Sequence, residues 1–249
     1  MQRLQEHRWL RALLMWGLLQ VILYCCHYLP LPTVPAIVVQ GVLLVGIFAF
    51  LDRRLFRIFP EFYSRNIPFW KQLGAAAPLF VYILFFNVTG VFSIRPENIG
   101  LSLIVSLEAA IMEEYICRGL LLGGLLKDSQ QRGRDIWLAV IGSSFIFGLA
   151  HLQNITHQPL DYTLFQITAA TLMGIFYGAI YVRSQSLLWV MLGHFMQDFV
   201  AIGIQGLEAP TIPDNAWLAL PLLAFIFLPV ALWLLRPKKQ AMIAAGFSR

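Results

Sequence analysis

Charge is scarce in this chain. Of its 249 residues only 12% are Asp, Glu, Lys or Arg, where soluble proteins carry about 25%. That deficit excludes a soluble globular domain and a disordered chain. Period-two alternation of apolar and polar residues is also missing, which excludes an outer-membrane barrel. There are three cysteines, Cys25 and Cys26 adjacent and Cys117 within an apolar run, so no disulfide framework is implied. Low-complexity segments and clear repeats are absent. What is present is apolar: 59% of the residues, in long unbroken runs. The fold class expected is all-α, a polytopic membrane protein.

The apolar runs, cut at charged or proline-rich breaks, define about eight transmembrane helices. They cover 12–28, 34–51, 73–94, 99–126, 136–152, 162–182, 187–206 and 216–235. The first follows Arg3, Arg8 and Arg11 without a small-residue cleavage site, so it is expected to be a retained anchor rather than a signal peptide. The connection from Asp52 to Lys71 mixes four arginines with Phe56, Phe59, Phe62, Tyr63 and Trp70, a composition suited to the headgroup region. The whole chain, 1–249, reads as a single integral membrane domain.

The net charge of +5 is a topology signal and carries no sign of nucleic-acid binding. With the N-terminus cytoplasmic, the inside segments hold Arg3, Arg8, Arg11, Arg53, Arg54, Arg57, Arg65, Lys71, Lys127, Arg132, Arg134, Arg183, Arg236, Lys238, Lys239 and Arg249. The outside loops hold Arg95 alone. This asymmetry predicts that both termini are cytoplasmic. The expected location is a bacterial inner (plasma) membrane, with the lipid bilayer as an obligatory partner. Asn154-Ile155-Thr156 falls in an outside loop, where glycosylation would require a eukaryotic secretory route.

Ionisable groups inside the spans are few and clustered. The fourth span carries Glu108, Glu113, Glu114 and Arg118, the fifth His151, and the seventh His194 and Asp198. A charge at the bilayer centre costs about 2.5–3.5 kcal/mol on insertion scales, so such residues need partners and a purpose. Glu114 and Arg118 are four residues apart and share a helix face, whereas Glu113 points about 100° away from Glu114. His194 and Asp198 have the same spacing, and so do Phe147 and His151. At 1.5 Å per residue, Glu113 lies roughly 20 Å and His151 roughly 22 Å from the cytoplasmic side, but His194 only about 11–16 Å. They share a plane if the seventh helix is longer or tilted. A carboxylate and an imidazole in an apolar cavity hold and deprotonate a water, and a His–Asp pair donates to an oxyanion.

Blander readings stand beside this one. An intramembrane histidine often only bridges helices, and Glu108 reads as such polar glue. Cys117 reads as packing, as do Gly123-Gly124, Gly142-Ser143-Ser144 and the Gly174/Gly178 pair. Glu113, His151, His194 and Asp198 would also be acceptable zinc ligands, although no His-Glu-x-x-His helix is present. A proton-coupled transporter with Glu and His relay groups is the alternative function, but the paired half-repeats it calls for are not visible.

The residues also carry a family resemblance. Glu113-Glu114-Tyr115-Ile116-Cys117-Arg118 matches Glu-Glu-x-x-x-Arg, Phe147-Gly148-Leu149-Ala150-His151 matches Phe-x-x-x-His, and His194-Phe195-Met196-Gln197-Asp198 matches His-x-x-x-Asn/Asp. In this order, each inside a span, they resemble the CAAX-protease and bacteriocin-processing family of intramembrane glutamic-type proteases, related to type II CAAX prenyl endopeptidases. The resemblance covers roughly 99–206, the expected catalytic core. It implies an intramembrane endopeptidase that cuts a membrane-anchored or lipidated protein or peptide with a glutamate-activated water. Glu113 would be the general base and His151 would help hold the water. His194 with Asp198 would form the oxyanion site, and Glu114 with Arg118 a supporting pair. Prenyl proteases tend to have Asn where this chain has Asp198, which weakens the case for prenylated substrates. No cofactor is favoured, despite the family's long-standing metalloprotease label.

Overall fold

A computed structural model describes residues 7–127, 133–207 and 216–247; Arg3, Arg132 and Arg249 of the charge pattern lie outside them. Every regular element among the described residues is helical. In chain order the main helices are α1 (Arg8–His27), α2 (Thr33–Leu51), α3 (Phe69–Tyr82) and α4 (Ile99–Glu114). They are followed by α5 (Gly133–Ala150), α6 (Leu160–Ser184), α7 (Leu187–Gln205), α8 (Ala219–Leu234) and a short α9 (Pro237–Phe247). Continuations extend several of them. A π-helical turn, Ile83–Asn87, prolongs α3, and a 3-10 turn, His151–Thr156, prolongs α5. After α4 comes an eight-residue π-helix, Tyr115–Leu122, and then a short α-helix, Gly123–Lys127.

Seven of these helical stretches are long and apolar enough to cross a membrane. The eighth expected span, the continuous helix over 99–127, has the length, but Glu108, Glu113, Glu114, Arg118 and Lys127 set it apart in composition. This is an integral membrane protein, and its most polar helix packs against α2 and α7 while Leu103, Ile104, Leu107 and Ile111 stay exposed.

Burial follows from who packs on whom. Helix α6 lies against both α5 and α8, and α4 against both α7 and α2. Tyr177, Phe176, Val140, Leu122 and Phe227 form the centre of one core, while Phe48, Leu44, Met15 and Leu120 form a second one around α1, α2 and the π-helix. The α5–α6 approach is close because small residues face each other. A methyl group at Gly174 would fall 2.8 Å from Ser144 Cβ, and one at Gly148 would collide with Thr171.

The connection after α2 is built around Asp52. Its buried carboxylate accepts the backbone N–H groups of Ile58 and Phe59 at 2.7 and 3.0 Å, turning the chain back under the bundle. The returning strand of chain then cradles the start of α7, where Leu187 and Leu188 N–H donate to Glu61 and Phe62 O. Gln72 ties the same region together, donating to Ser64 and Ile67 O and accepting from Trp189 Nε1. Helix α6 ends at Gln185, held in the left-handed conformation (φ 54°), so α7 starts after a two-residue turn. Ser186 and Leu187 are therefore buried. Helix α7 is not extended back to Arg183; it begins inside the fold, and this offset carries His194 to the level of Glu114.

Candidate active site

The seven residues singled out from the sequence converge. Glu114 is the hub: its Oε1 lies 2.9 Å from Arg118 Nη1 and 2.8 Å from His194 Nδ1. Both the Glu114 and Arg118 side chains are almost completely inaccessible. The π-helix that starts at Tyr115 forms i→i+5 bonds, so its wider turn keeps Arg118 on the same side as Glu114. Arg118 also lies over the Phe147 ring, 4.2 Å from its centroid, and at 5.8 Å from that of Tyr177. A buried cation is thus met by one carboxylate and two aromatic faces.

Glu113 is placed differently. About a quarter of its side chain is accessible, and its Oε2 lies 3.7 Å from His194 Nε2. Asp198 Oδ2 lies 3.2 Å from the same nitrogen. The imidazole of His194 therefore sits among three carboxylates, Glu114 on one ring nitrogen and Glu113 and Asp198 on the other. His151, the first residue beyond the α-helical part of α5, has Nδ1 3.2 Å from Phe147 O. A carbonyl oxygen only accepts, so that hydrogen bond puts a proton on Nδ1 and leaves Nε2 of the neutral ring as the acceptor. The Phe147 ring packs edge-on against His151, with centroids 5.2 Å apart.

Glu113, His151, His194 and Asp198 open into one cavity of about 460 Å³ between α4, α5, α6 and α7. Its wall includes residues that the motif reading did not select. Tyr82 and Tyr177 hydroxyls both approach Gln197 Oε1, at 3.5 and 3.4 Å, and Gln197 is the residue before Asp198. Asn154 Nδ2 donates to Gln166 Oε1 at 3.0 Å on the opposite rim. The available signal was polar side chains in apolar spans, and it was weak because tyrosine and glutamine occur there without catalytic purpose.

A second, smaller cavity of about 200 Å³ shares Glu113, Phe147, His151 and Asn154 as a common wall. Glu108 lines it, with its carboxyl packed onto Gly41 of α2, where a side chain at 41 would have to displace it. Glu108 Oε1 is buried and finds no hydrogen-bond partner among the described residues, so the contact with α2 is close packing and not the polar bridge expected. Cys117 is buried in the second core, in keeping with a packing role. Among the described residues, no three His, Cys, Asp or Glu side chains are placed to hold a metal ion.

Residues 95–200 match the family model for Type II CAAX prenyl endopeptidase Rce1-like. Over this stretch, less than half of the chain, the protein is similar to that family. The stretch contains Glu113, Glu114, Arg118, Phe147, His151, His194 and Asp198. No curated protein and no solved structure matches the chain.

Proposed function

We propose that the protein is an intramembrane endopeptidase in which Glu113 activates the attacking water without a metal ion. The observation that carries this reading is the unequal placement of two adjacent glutamates. Glu114 is consumed by Arg118 and His194, whereas Glu113 has only the longer 3.7 Å approach to His194 among the ion pairs of the described residues and faces the shared cavity.

In this reading water sits between Glu113 and the acceptor Nε2 of His151. The water oxygen attacks the scissile carbonyl carbon as its proton passes to Glu113. The tetrahedral oxyanion accepts from Nε2–H of His194 in its imidazolium form, whose orientation is set by Glu114 on Nδ1 and Asp198 beside Nε2. When the intermediate collapses, the C–N bond breaks and Glu113 returns the proton to the leaving nitrogen. The products are a carboxylate and an amine. The substrate is a membrane-anchored or lipidated protein or peptide, because the cavity lies within the helical bundle and the Rce1-like match points to such chemistry. A bacterial inner membrane with both termini cytoplasmic remains the reading favoured by the charge pattern.

The test is Glu113→Gln in the purified protein with a membrane-anchored reporter peptide. Cleavage falls by about 10²–10⁴-fold, the range for loss of a general base, while the thermal unfolding midpoint is unchanged. Cleavage at the original rate would sink the assignment.

A further inference from the structure

A second site lies at the end of the bundle where α3 begins and α6 and α8 end. There Lys71, Arg183, Arg236 and Lys239 line one cleft of about 220 Å³, together with Trp233. The four cations come from three helices, α3, α6 and α9, and from the turn that precedes α9, and no carboxylate is among the lining residues. Nearby cations at the same end behave otherwise. Arg8 pairs with Asp135 at 2.9 Å, Arg11 donates to Gly124 O at 2.7 Å, and Lys127 donates to Arg57 O at 2.5 Å. In the cleft, Arg183 reaches only the neutral sulfur of Met242, and Arg236 lies 5.2 Å from the Trp233 ring centroid. Among the described residues none of the four cations has an acidic partner.

We propose that this cleft binds the phosphate-bearing headgroup of an anionic phospholipid. Four convergent cations without a protein counter-charge call for an anion of more than one unit, or one that accepts several hydrogen bonds at once; a phosphodiester fits. Basic pockets between helix ends bind such headgroups. Lipid is favoured over a free phosphate by what adjoins the cleft. Trp233 is half-exposed, the placement of an interfacial aromatic, and Leu222, Phe225, Leu228 and Leu232 descend from it as an exposed apolar stripe on α8. The stripe offers the acyl chains a surface directly below the headgroup.

The experiment is native mass spectrometry of the full chain, released from detergent after titration with phosphatidylglycerol or phosphatidylcholine. The wild type retains phosphatidylglycerol in preference. Arg183→Gln with Arg236→Gln lowers that retention about 25-fold, from about fivefold for each interfacial cation. Lys71→Gln, at an exposed position where packing is unaffected, lowers it about fivefold. Arg53→Gln with Arg54→Gln removes the same charge elsewhere and leaves retention unchanged. Equal retention of the two lipids overturns the proposal, as does an equal loss in the Arg53/Arg54 control. Displacement of the lipid by inorganic phosphate in tenfold excess would identify a free-anion site and overturn the lipid assignment.

Discussion

The two sides of the helix around 113–118 have opposite characters. On the packed side Glu114 and Arg118 are buried to near zero accessibility and are locked between α7, α5 and each other. On the cavity side Glu113, a single residue earlier, keeps a quarter of its side chain accessible and has only a long contact to His194. A turn of about 100° separates a carboxylate that is buried and paired from one that faces the cavity. In the proposed mechanism the packed side holds the open side still: Glu114 contacts His194, and Phe147 contacts both Arg118 and His151.

If that division is right, the packed side governs folding more than the cavity side does. Glu114→Ala strands the Arg118 guanidinium in the interior and removes the acceptor from His194 Nδ1. Removing one partner of a buried pair costs about 3–5 kcal/mol, so the variant should accumulate poorly and unfold at a lower temperature. Thermal unfolding in detergent, beside Glu113→Gln, makes the comparison directly. Normal accumulation and an unshifted midpoint for Glu114→Ala would dissolve the distinction between the two sides.

Asp198 tests the cavity side without touching the packed one. It faces His194 Nε2 at 3.2 Å and is partly accessible. Asp198→Ala should lower cleavage by about 10²–10³-fold, the loss typical of an oxyanion-site group, with stability almost intact. Asp198→Asn should keep most of the activity, since an amide still accepts from His194 and adds a donor of its own. A substantial unfolding shift in Asp198→Ala would move this residue to the structural side.

Much of this division is legible in the sequence, and the rest is not for identifiable reasons. Spans follow from apolar runs, and the ionisable residues within them stand out because bilayer charge is costly. Same-helix pairs such as Glu114–Arg118 and His194–Asp198 follow from four-residue spacing. The contact of His194 with Glu114 spans two helices, and its existence depends on the rotation and offset of α7 relative to α4. Apolar periodicity reports rotation poorly when lipid-facing and core-facing sides are both apolar, as on α7, where Leu192 is exposed and Val190 buried. The π-helix over Tyr115–Leu122 leaves no compositional mark, because its apolar residues would serve an α-helix equally well. Tyr82, Tyr177 and Gln197 come from three helices, so no local spacing unites them.

Phe147 lies on the seam between the two sides. Its ring carries Arg118 on one side and meets His151 edge-on. Phe147→Leu keeps the bulk but removes the face, at a cost of about 2 kcal/mol for a desolvated cation–π contact. Stability should fall measurably and cleavage modestly. A variant that loses cleavage by a hundredfold with no unfolding shift would show that Phe147 serves the cavity alone.

The smallest expected effect sharpens the boundary most. Tyr177 is buried in the main core, yet its hydroxyl reaches Gln197 at 3.4 Å on the cavity wall. Tyr177→Phe removes one long hydrogen bond and leaves the ring that faces Arg118, so stability should change by about 1 kcal/mol or less. Tyr82→Phe removes the matching contact at 3.5 Å, and either change alone leaves Gln197 one tyrosine partner. The double variant leaves Gln197 Oε1 without a tyrosine donor and frees the side chain that precedes Asp198. If Gln197 helps orient Asp198, the double variant lowers kcat by more than the product of the single effects while KM and the unfolding midpoint stay near wild type. Strict additivity of the two single effects would show that the tyrosine pair belongs to the packing and leaves Asp198 to be positioned by His194.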